Sequence, residues 1–255
     1  MAFKLKSKRE IELLRDSGHL VHQVLERLSE MAAPGVTTGE LDAEAGRMCR
    51  EAGASCLFHG VPGPGGPFPG NICCSIDEQV VHGIPGDRVI CDGDLVSIDF
   101  GVRLNGYCGD AAMTVAVGEA SPAKKRLVET TENVLGIAIE MTAPGRRWSD
   151  IARAMQACAE DSGYGVVRQY VGHGIGTEMW EDPKVPNFVS AELLRRDIVL
   201  REGLVMAVEP MVNMGTADVE VLDDGWTVVT ADGQPSAHWE HMLAVTADGV
   251  DVLSR

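Results

Sequence analysis

Apolar residues recur at helical spacing over residues 7–31, where Ile11, Leu14, Leu20, Val21, Val24, Leu25 and Leu28 gather toward one face. This period predicts an amphipathic helix, with Ser7 placed to cap its start and Pro34-Gly35 ending it. Thr38 followed by Leu41, Ala45 and Met48 predicts a second helix, closed by Gly53. Two more are expected, from Ser121-Pro122 to Met141 with proline in the opening turn, and from Ser149 to Asp161. Elsewhere the apolar pieces are short and β-rich, at 72–76, 80–81, 166–171, 204–208, 227–230 and 238–245. Residues 60–70 hold nine glycines and prolines in eleven positions, which excludes regular structure and predicts a surface loop, readable as a tolerated insertion. Strand pairs, then two helices, then further strands describe an α+β domain with helices on one side of an antiparallel-rich sheet. No short-period repeat is visible, and residues 1–255 are expected to form a single domain.

The most specific local pattern lies between Asp99 and Asp110. Asn105-Gly106 suits a two-residue type I′ turn, whose central positions both need positive φ. With those residues as the loop, Leu104 faces Tyr107, Gly101 faces Asp110 and Asp99 faces Ala112. Asp99 and Asp110 then become diagonal neighbours on one face of a hairpin, roughly 7 Å apart along the backbone. The adjoining Leu95, Val96, Ile98 and Phe100 mark an interior strand, where unpaired carboxylates are costly. A bound cation resolves the repulsion.

Composition narrows the function classes. The 255 residues are 45% hydrophobic, ordinary for a globular protein. With 22 basic against 38 acidic residues, the formal net charge of −16 argues against a nucleic-acid surface and against anionic lipid. The opening Met-Ala-Phe-Lys-Leu-Lys-Ser-Lys-Arg-Glu is basic without an apolar core behind it, so no secretory signal is expected. No stretch approaches the roughly 18 apolar residues of a membrane span. Seven scattered cysteines form neither a disulfide framework nor a Cys-x-x-Cys zinc pattern, and read as reduced thiols in the cytoplasm.

Three further polar residues interrupt apolar or glycine-rich segments. His173 lies among Gly172, Gly174 and Gly176, which clear space for a close approach, although a turn histidine reads the same way. Glu209 breaks an apolar strand and is held extended by Pro210, and an edge-strand charge facing water is the alternative. Glu240 shares a strand face with Met242 and Ala244, which a half-exposed strand would also explain. Together, two aspartates, one histidine and two glutamates converge on one chemistry. Four carboxylates balance two divalent cations, and carboxylates with an imidazole suit manganese, iron, cobalt or zinc. Such a pair activates water and polarises a carbonyl, as amide hydrolysis requires. No Gly-x-Ser-x-Gly is present, and no cysteine has an evident histidine partner.

In this order the residues resemble the type I methionine aminopeptidases, of the pita-bread fold with its pseudo-two-fold halves. The resemblance runs from Lys8 to the end. Its most specific pieces are Val81-His-Gly-Ile-Pro-Gly86, Ser97-Ile-Asp-Phe-Gly101, Gly109-Asp-Ala-Ala-Met-Thr114, Gly172-His-Gly-Ile-Gly176, Val208-Glu-Pro210, Asp224-Gly-Trp-Thr227 and Glu240-His241. It implies that Asp99, Asp110, His173, Glu209 and Glu240 hold two divalent metal ions, with Asp110 and Glu240 bridging both. It further implies removal of N-terminal methionine from peptides and nascent chains, with His82 contacting the reacting amide and Glu209 doubling as a proton carrier. Phe58, Cys73 and Trp226 match positions that line the methionine pocket, a soft apolar subsite suited to a thioether; ordinary core packing would account for them equally. A monomer is expected, without nucleic-acid or membrane partners.

Two departures stand out. Relatives usually carry a second assisting histidine seven residues after the metal-ligating one, where this chain has Trp180, placed beside the substrate but unable to accept a proton. The threonine that often follows Glu-His is Met242 here, a change in the hydrogen bonding behind the ligands. His59 and His241 are candidates to compensate. Two other readings remain: a same-fold aminopeptidase of altered or weak activity, as in the proline-directed relatives that carry an extra N-terminal domain, and a metal-retaining binding homologue without catalysis.

Overall fold

The computed structural model describes residues 3–255. Its first half runs through α1 (Lys8–Met31), α2 (Thr38–Glu51), β1 (Ser55–Cys56), β2 (Cys73–Ile76), β3 (Gln79–Val81), β4 (Leu95–Leu104) and β5 (Tyr107–Ala116). The second opens with α3 (Pro122–Met141), α4 (Trp148–Asp161), β6 (Gly165–Val166), β7 (Gly172–Gly174), β8 (Glu181–Val185) and α5 (Ala191–Arg195). It ends with β9 (Val205–Val208), β10 (Met211–Asn213), β11 (Val219–Val221), β12 (Val228–Thr230), β13 (Ser236–His238), β14 (His241–Thr246) and β15 (Gly249–Val252).

Local chemistry fixes the helix starts. Ser7 and Glu10 form a reciprocal capping box on α1, and Thr37 with Glu40 does the same on α2, so each helix begins with its first amides satisfied. Ser121 caps α3 ahead of Pro122. The hairpin of β4 and β5 has the expected register, with Leu104 opposite Tyr107, Gly101 opposite Asp110 and Asp99 opposite Ala112. Asn105 and Gly106 take φ of 52° and 84°, as the tight turn demands.

Alternation along β4 separates packing from chemistry. Ile98, Phe100 and Val102 join the core formed with α1 and α2, while Asp99 points to the opposite face. In the second half Met206 and Val208 of β9 join the core under α3 and α4, anchored by the fully buried Trp148. Helices thus cover one face of each half, and the other faces meet around a cleft.

The halves repeat each other at a spacing of 110 residues. Gly35 N–H donates to Ile90 O at 2.9 Å and Thr38 N–H to Arg88 O at 2.9 Å; Gly145 donates to Leu200 O at 2.8 Å and Trp148 to Ile198 O at 2.8 Å. The isolated bridge Thr37–Val89 recurs as Arg147–Val199. By the same spacing Asp99 corresponds to Glu209. The two halves are stitched together by Ala112 and Glu240, whose backbones exchange hydrogen bonds at 2.8 and 3.4 Å.

Three expectations need correction. The strand expected over 166–171 stops at Val166, because Arg168 and Gln169 are both exposed and break the alternation. The run over 238–245 is interrupted at Trp239 and Glu240, where the chain leaves β13 to bridge Ala112 before resuming as β14. The glycine- and proline-rich segment is more than a tolerated insertion: Phe68 is 2% exposed, and a Cβ on Gly63 would overlap the Trp226 ring. No helix among the described residues is long and apolar enough to cross a membrane.

Candidate metal centre

Five elements deliver the polar residues to one place. β4 supplies Asp99, β5 supplies Asp110, β7 supplies His173, the turn after β9 supplies Glu209 and the bridge before β14 supplies Glu240. They line a cavity of about 90 Å³ with Phe58, Val61, Phe68, Cys73, His82, Met179, Trp180 and Trp226. Every site residue singled out from the sequence therefore borders the same space. Three contributors, Val61, Phe68 and Met179, carried no sequence signal, because apolar residues in loops have no period to betray their direction.

The geometry is that of a cation site. Ligand atoms of Asp110, His173 and Glu240 all lie within 4.8 Å of one another. His173 Nε2 stands 3.5 Å from Asp110 Oδ2 and 3.7 Å from Glu209 Oε1. Its Nδ1 donates to Gly174 O at 3.0 Å, which fixes the tautomer and turns Nε2 toward the carboxylates. Buried Asp99 Oδ1, Asp110 Oδ1 and Glu240 Oε1 have no hydrogen-bond partner. Unpartnered buried oxygens of this kind cost free energy unless something positive takes them up.

Electrostatics agree. Burial, with the charges of Asp110 and Glu209 behind it, lifts Asp99 well above the ordinary carboxylate range. Burial and then the charges of Asp110, Glu209 and Asp99 do the same to Glu240. Burial raises Asp110 despite its bond to His173, and raises Glu209 to about 7. For His173, burial pulls downward, but Asp110 and Glu209 outweigh it and hold the imidazole at about 9. Two divalent cations would answer this surplus of buried negative charge with donors of the right kind.

The remaining wall is soft and apolar. The Cys73 thiol is pushed well up by burial and by Asp99 and Asp110, so it stays protonated. Trp226 packs edge-on against Phe68 with centroids 5.1 Å apart, and its Nε1 donates to Gly66 O at 3.0 Å. His82 sits at φ 60°, its ring 5.3 Å from Tyr170 and 6.3 Å from Trp226, and burial lowers it to about 4. Tyr170 and His238 were not anticipated; His238 is 2% exposed, lines the outer cleft and leaves Nε2 unpartnered. Met242 Sδ accepts from Asp110 N–H at 3.2 Å, a weak bond to a thioether sulfur. His59 binds Pro69 O and His241 binds Ser254 Oγ, so neither lines the cavity or substitutes for a histidine at 180.

A water-accessible cleft whose floor is buried carboxylates and an imidazole defines a metal-dependent hydrolase. The chain belongs to metallopeptidase family M24, whose model matches residues 12–247. It is 44% identical to methionine aminopeptidase 1 of Bacillus subtilis over 98% of both chains, and 38% identical to the methionine aminopeptidase of Escherichia coli over 100% of this chain and 94% of that one. The methionine aminopeptidase structure from Thermotoga maritima superposes with a TM-score of 0.94 at 37% identity, covering 100% of each chain. The architecture is accordingly the pita-bread fold.

Proposed function

We propose that Asp99, Asp110, His173, Glu209 and Glu240 would hold two divalent metal ions. The chain is a metal-dependent aminopeptidase that removes N-terminal methionine from polypeptides. The observation that carries this reading is the closure of four carboxylates, Asp110 and Glu240 buried and Asp99 and Glu209 nearly so, and one imidazole onto a cavity whose other wall is aromatic and sulfur-bearing. When bound, the ions supply Lewis acidity to the scissile carbonyl and acidify water. Phe58, Phe68, Cys73, Met179 and Trp226 receive the thioether. His82, neutral at physiological pH, donates or accepts a hydrogen bond at the scissile amide and orients it. Glu209, a carboxylate beside the reacting groups, carries a proton toward the leaving amine.

We further infer a cytoplasmic monomer acting on nascent chains and peptides, without nucleic-acid or membrane partners. The net charge of −16 and the seven free cysteines support this. Residues 1–255 form a single catalytic domain around the one centre. The decisive measurement is release of free methionine from Met-Ala-Ser after chelation and reloading with manganese, cobalt, iron or zinc. Release with at least one metal, and none from the chelated protein, is expected. If no metal supports release while a Trp180→His variant works, the claim of native activity is wrong.

A further inference from the structure

The cavity at the metal centre does not end there. His82, Asp99, His173, Trp180, Glu209 and Trp226 also line an outer cleft of about 590 Å³. That cleft shares Gln169, Val171, Asp182 and Lys184 with a third concavity of about 510 Å³. One continuous channel thus leads from the scissile position, past Trp180, along β8 to α5. β8 is the terminal strand of its sheet, in the order β15-β14-β9-β7-β8, so nothing in the sheet covers its outer side.

The outer cleft is acidic, with Asp99, Glu181, Asp182 and Glu209 against Lys184, but the charge of the far concavity differs from the rest of the molecule. In a chain of net charge −16, the far concavity is lined by Arg168, Lys184 and Arg196 against Asp182 and Glu192. Arg168 is partly occupied, 3.5 Å from Glu160 and lying over Phe188 at 5.9 Å. Lys184 and Arg196 are exposed and make no ion pair within 4.0 Å among the described residues. Lys184 pairs directly with His173 across β7 and β8, which places its backbone about 5 Å from the strand that presents the imidazole. An extended peptide advances about 3.3 Å per residue, so a chain leaving the centre comes alongside Lys184 within two or three residues and Arg196 soon after.

We propose that this channel is the track for the substrate's own chain beyond its second residue, and that Lys184 and Arg196 make it select acidic side chains at about the fourth to sixth positions. The inference rests on the aminopeptidase reading above and adds a preference to it. Exchanging attraction for repulsion at two partly screened surface pairs amounts to about fivefold in kcat/KM or more.

The test compares Met-Ala-Ser-Glu-Glu-Gly-amide, Met-Ala-Ser-Lys-Lys-Gly-amide and Met-Ala-Ser-amide on the metal-loaded protein. The glutamate hexapeptide is expected to exceed the lysine hexapeptide about fivefold at low salt, the ratio shrinking toward one in 1 M salt. In the double variant Lys184→Glu, Arg196→Glu the order inverts. Because each preference is a ratio measured on one protein sample, partial misfolding cancels. Fluorescence anisotropy of the same hexapeptides labelled at their C-terminal ends reads the preference as a difference in Kd without turnover. Equal kcat/KM and equal Kd for the two hexapeptides, or a preference that the double variant leaves in place, overturns the proposal. Absence of turnover of all three amides with any metal counts against the aminopeptidase reading, while the anisotropy ratio still decides the track.

Discussion

Trp180 is 58% exposed and borders both the metal centre and the outer cleft. Its indole offers one hydrogen-bond donor and cannot take up a proton. Trp180→His should therefore raise kcat/KM for Met-Ala-Ser by about tenfold, a modest share of what a placed acid or base contributes. Exposure keeps the stability change within about 0.5 kcal/mol. Steady-state kinetics with a parallel melt would check both, and an unchanged rate would deny this position any polar duty. His82 presents the opposite case, a half-buried ring held at φ 60°, a region that asparagine also tolerates. His82→Asn should keep the fold and cost about 100-fold in kcat. The variant also isolates a pH effect. The folded value of about 4 lies below the ordinary 6.5, so the unfolded chain binds the extra proton between those limits. Stability tied to the neutral ring is complete above pH 6.5 and is lost as pH falls toward 4, by about 3 kcal/mol in all. Denaturant melts of wild type and variant should diverge by this amount across that window, wild type losing more; parallel curves would refute it. The ligand-type residues were legible because each is a charge in an apolar or glycine-rich setting. Tyr170 and His238 were not, since only tertiary contact gives them their place.

Elements were legible wherever a local code was complete. The capping boxes, the proline at the start of α3 and the Asn105-Gly106 turn each combine a residue type with a backbone requirement, and these helices and this hairpin formed as expected. The failures are at 166–171, where exposed Arg168 and Gln169 break the alternation, and at 239–240, where a partner distant in sequence, Ala112, decides the backbone. The 60–70 segment shows how composition can mislead. Its glycines exclude regular structure, but two of them are required by the close approach of Trp226 and Asp224. Gly63→Ala should push the Trp226 ring into the cavity proposed to take the methionine side chain and raise KM for Met-Ala-Ser about fivefold, with kcat nearly unchanged. Equal losses in kcat and KM would instead mean that the ring acts on the reacting amide.

Across the whole molecule, the centre draws Asp99 and Asp110 from one half and His173, Glu209 and Glu240 from the other. Mutual repulsion of these buried carboxylates opposes the union of the halves, and divalent cations reverse its sign. Each occupied site adds about 2.7 kcal/mol at a hundredfold excess of metal over Kd. For a chain of this length that corresponds to about 5–10 °C in Tm. Calorimetry of chelated and reloaded protein should show the increase, and it should vanish in Asp110→Asn; a Tm indifferent to metal would contradict the ligand assignment. The 110-residue repeat escaped notice in the sequence because it is carried by backbone hydrogen bonds and burial, which different side chains satisfy equally well, as Thr38 and Trp148 do.

The hydrogen bond from Trp226 Nε1 to Gly66 O joins two excursions from that repeated frame. One is the 60–70 segment; the other, residues 214–235, stands between paired β10 and β13, where the first half needs only Asn105-Gly106. The frame carries the charged residues of the centre, and the excursions contribute Val61, Phe68 and Trp226 to the cavity's apolar wall, beside Phe58, Cys73 and Met179 from outside them. Part of that apolar wall is thus written on stretches of chain that carry none of the cavity's charged groups. The loops form a cassette that can be recast to reshape that wall without touching any of the five charged residues.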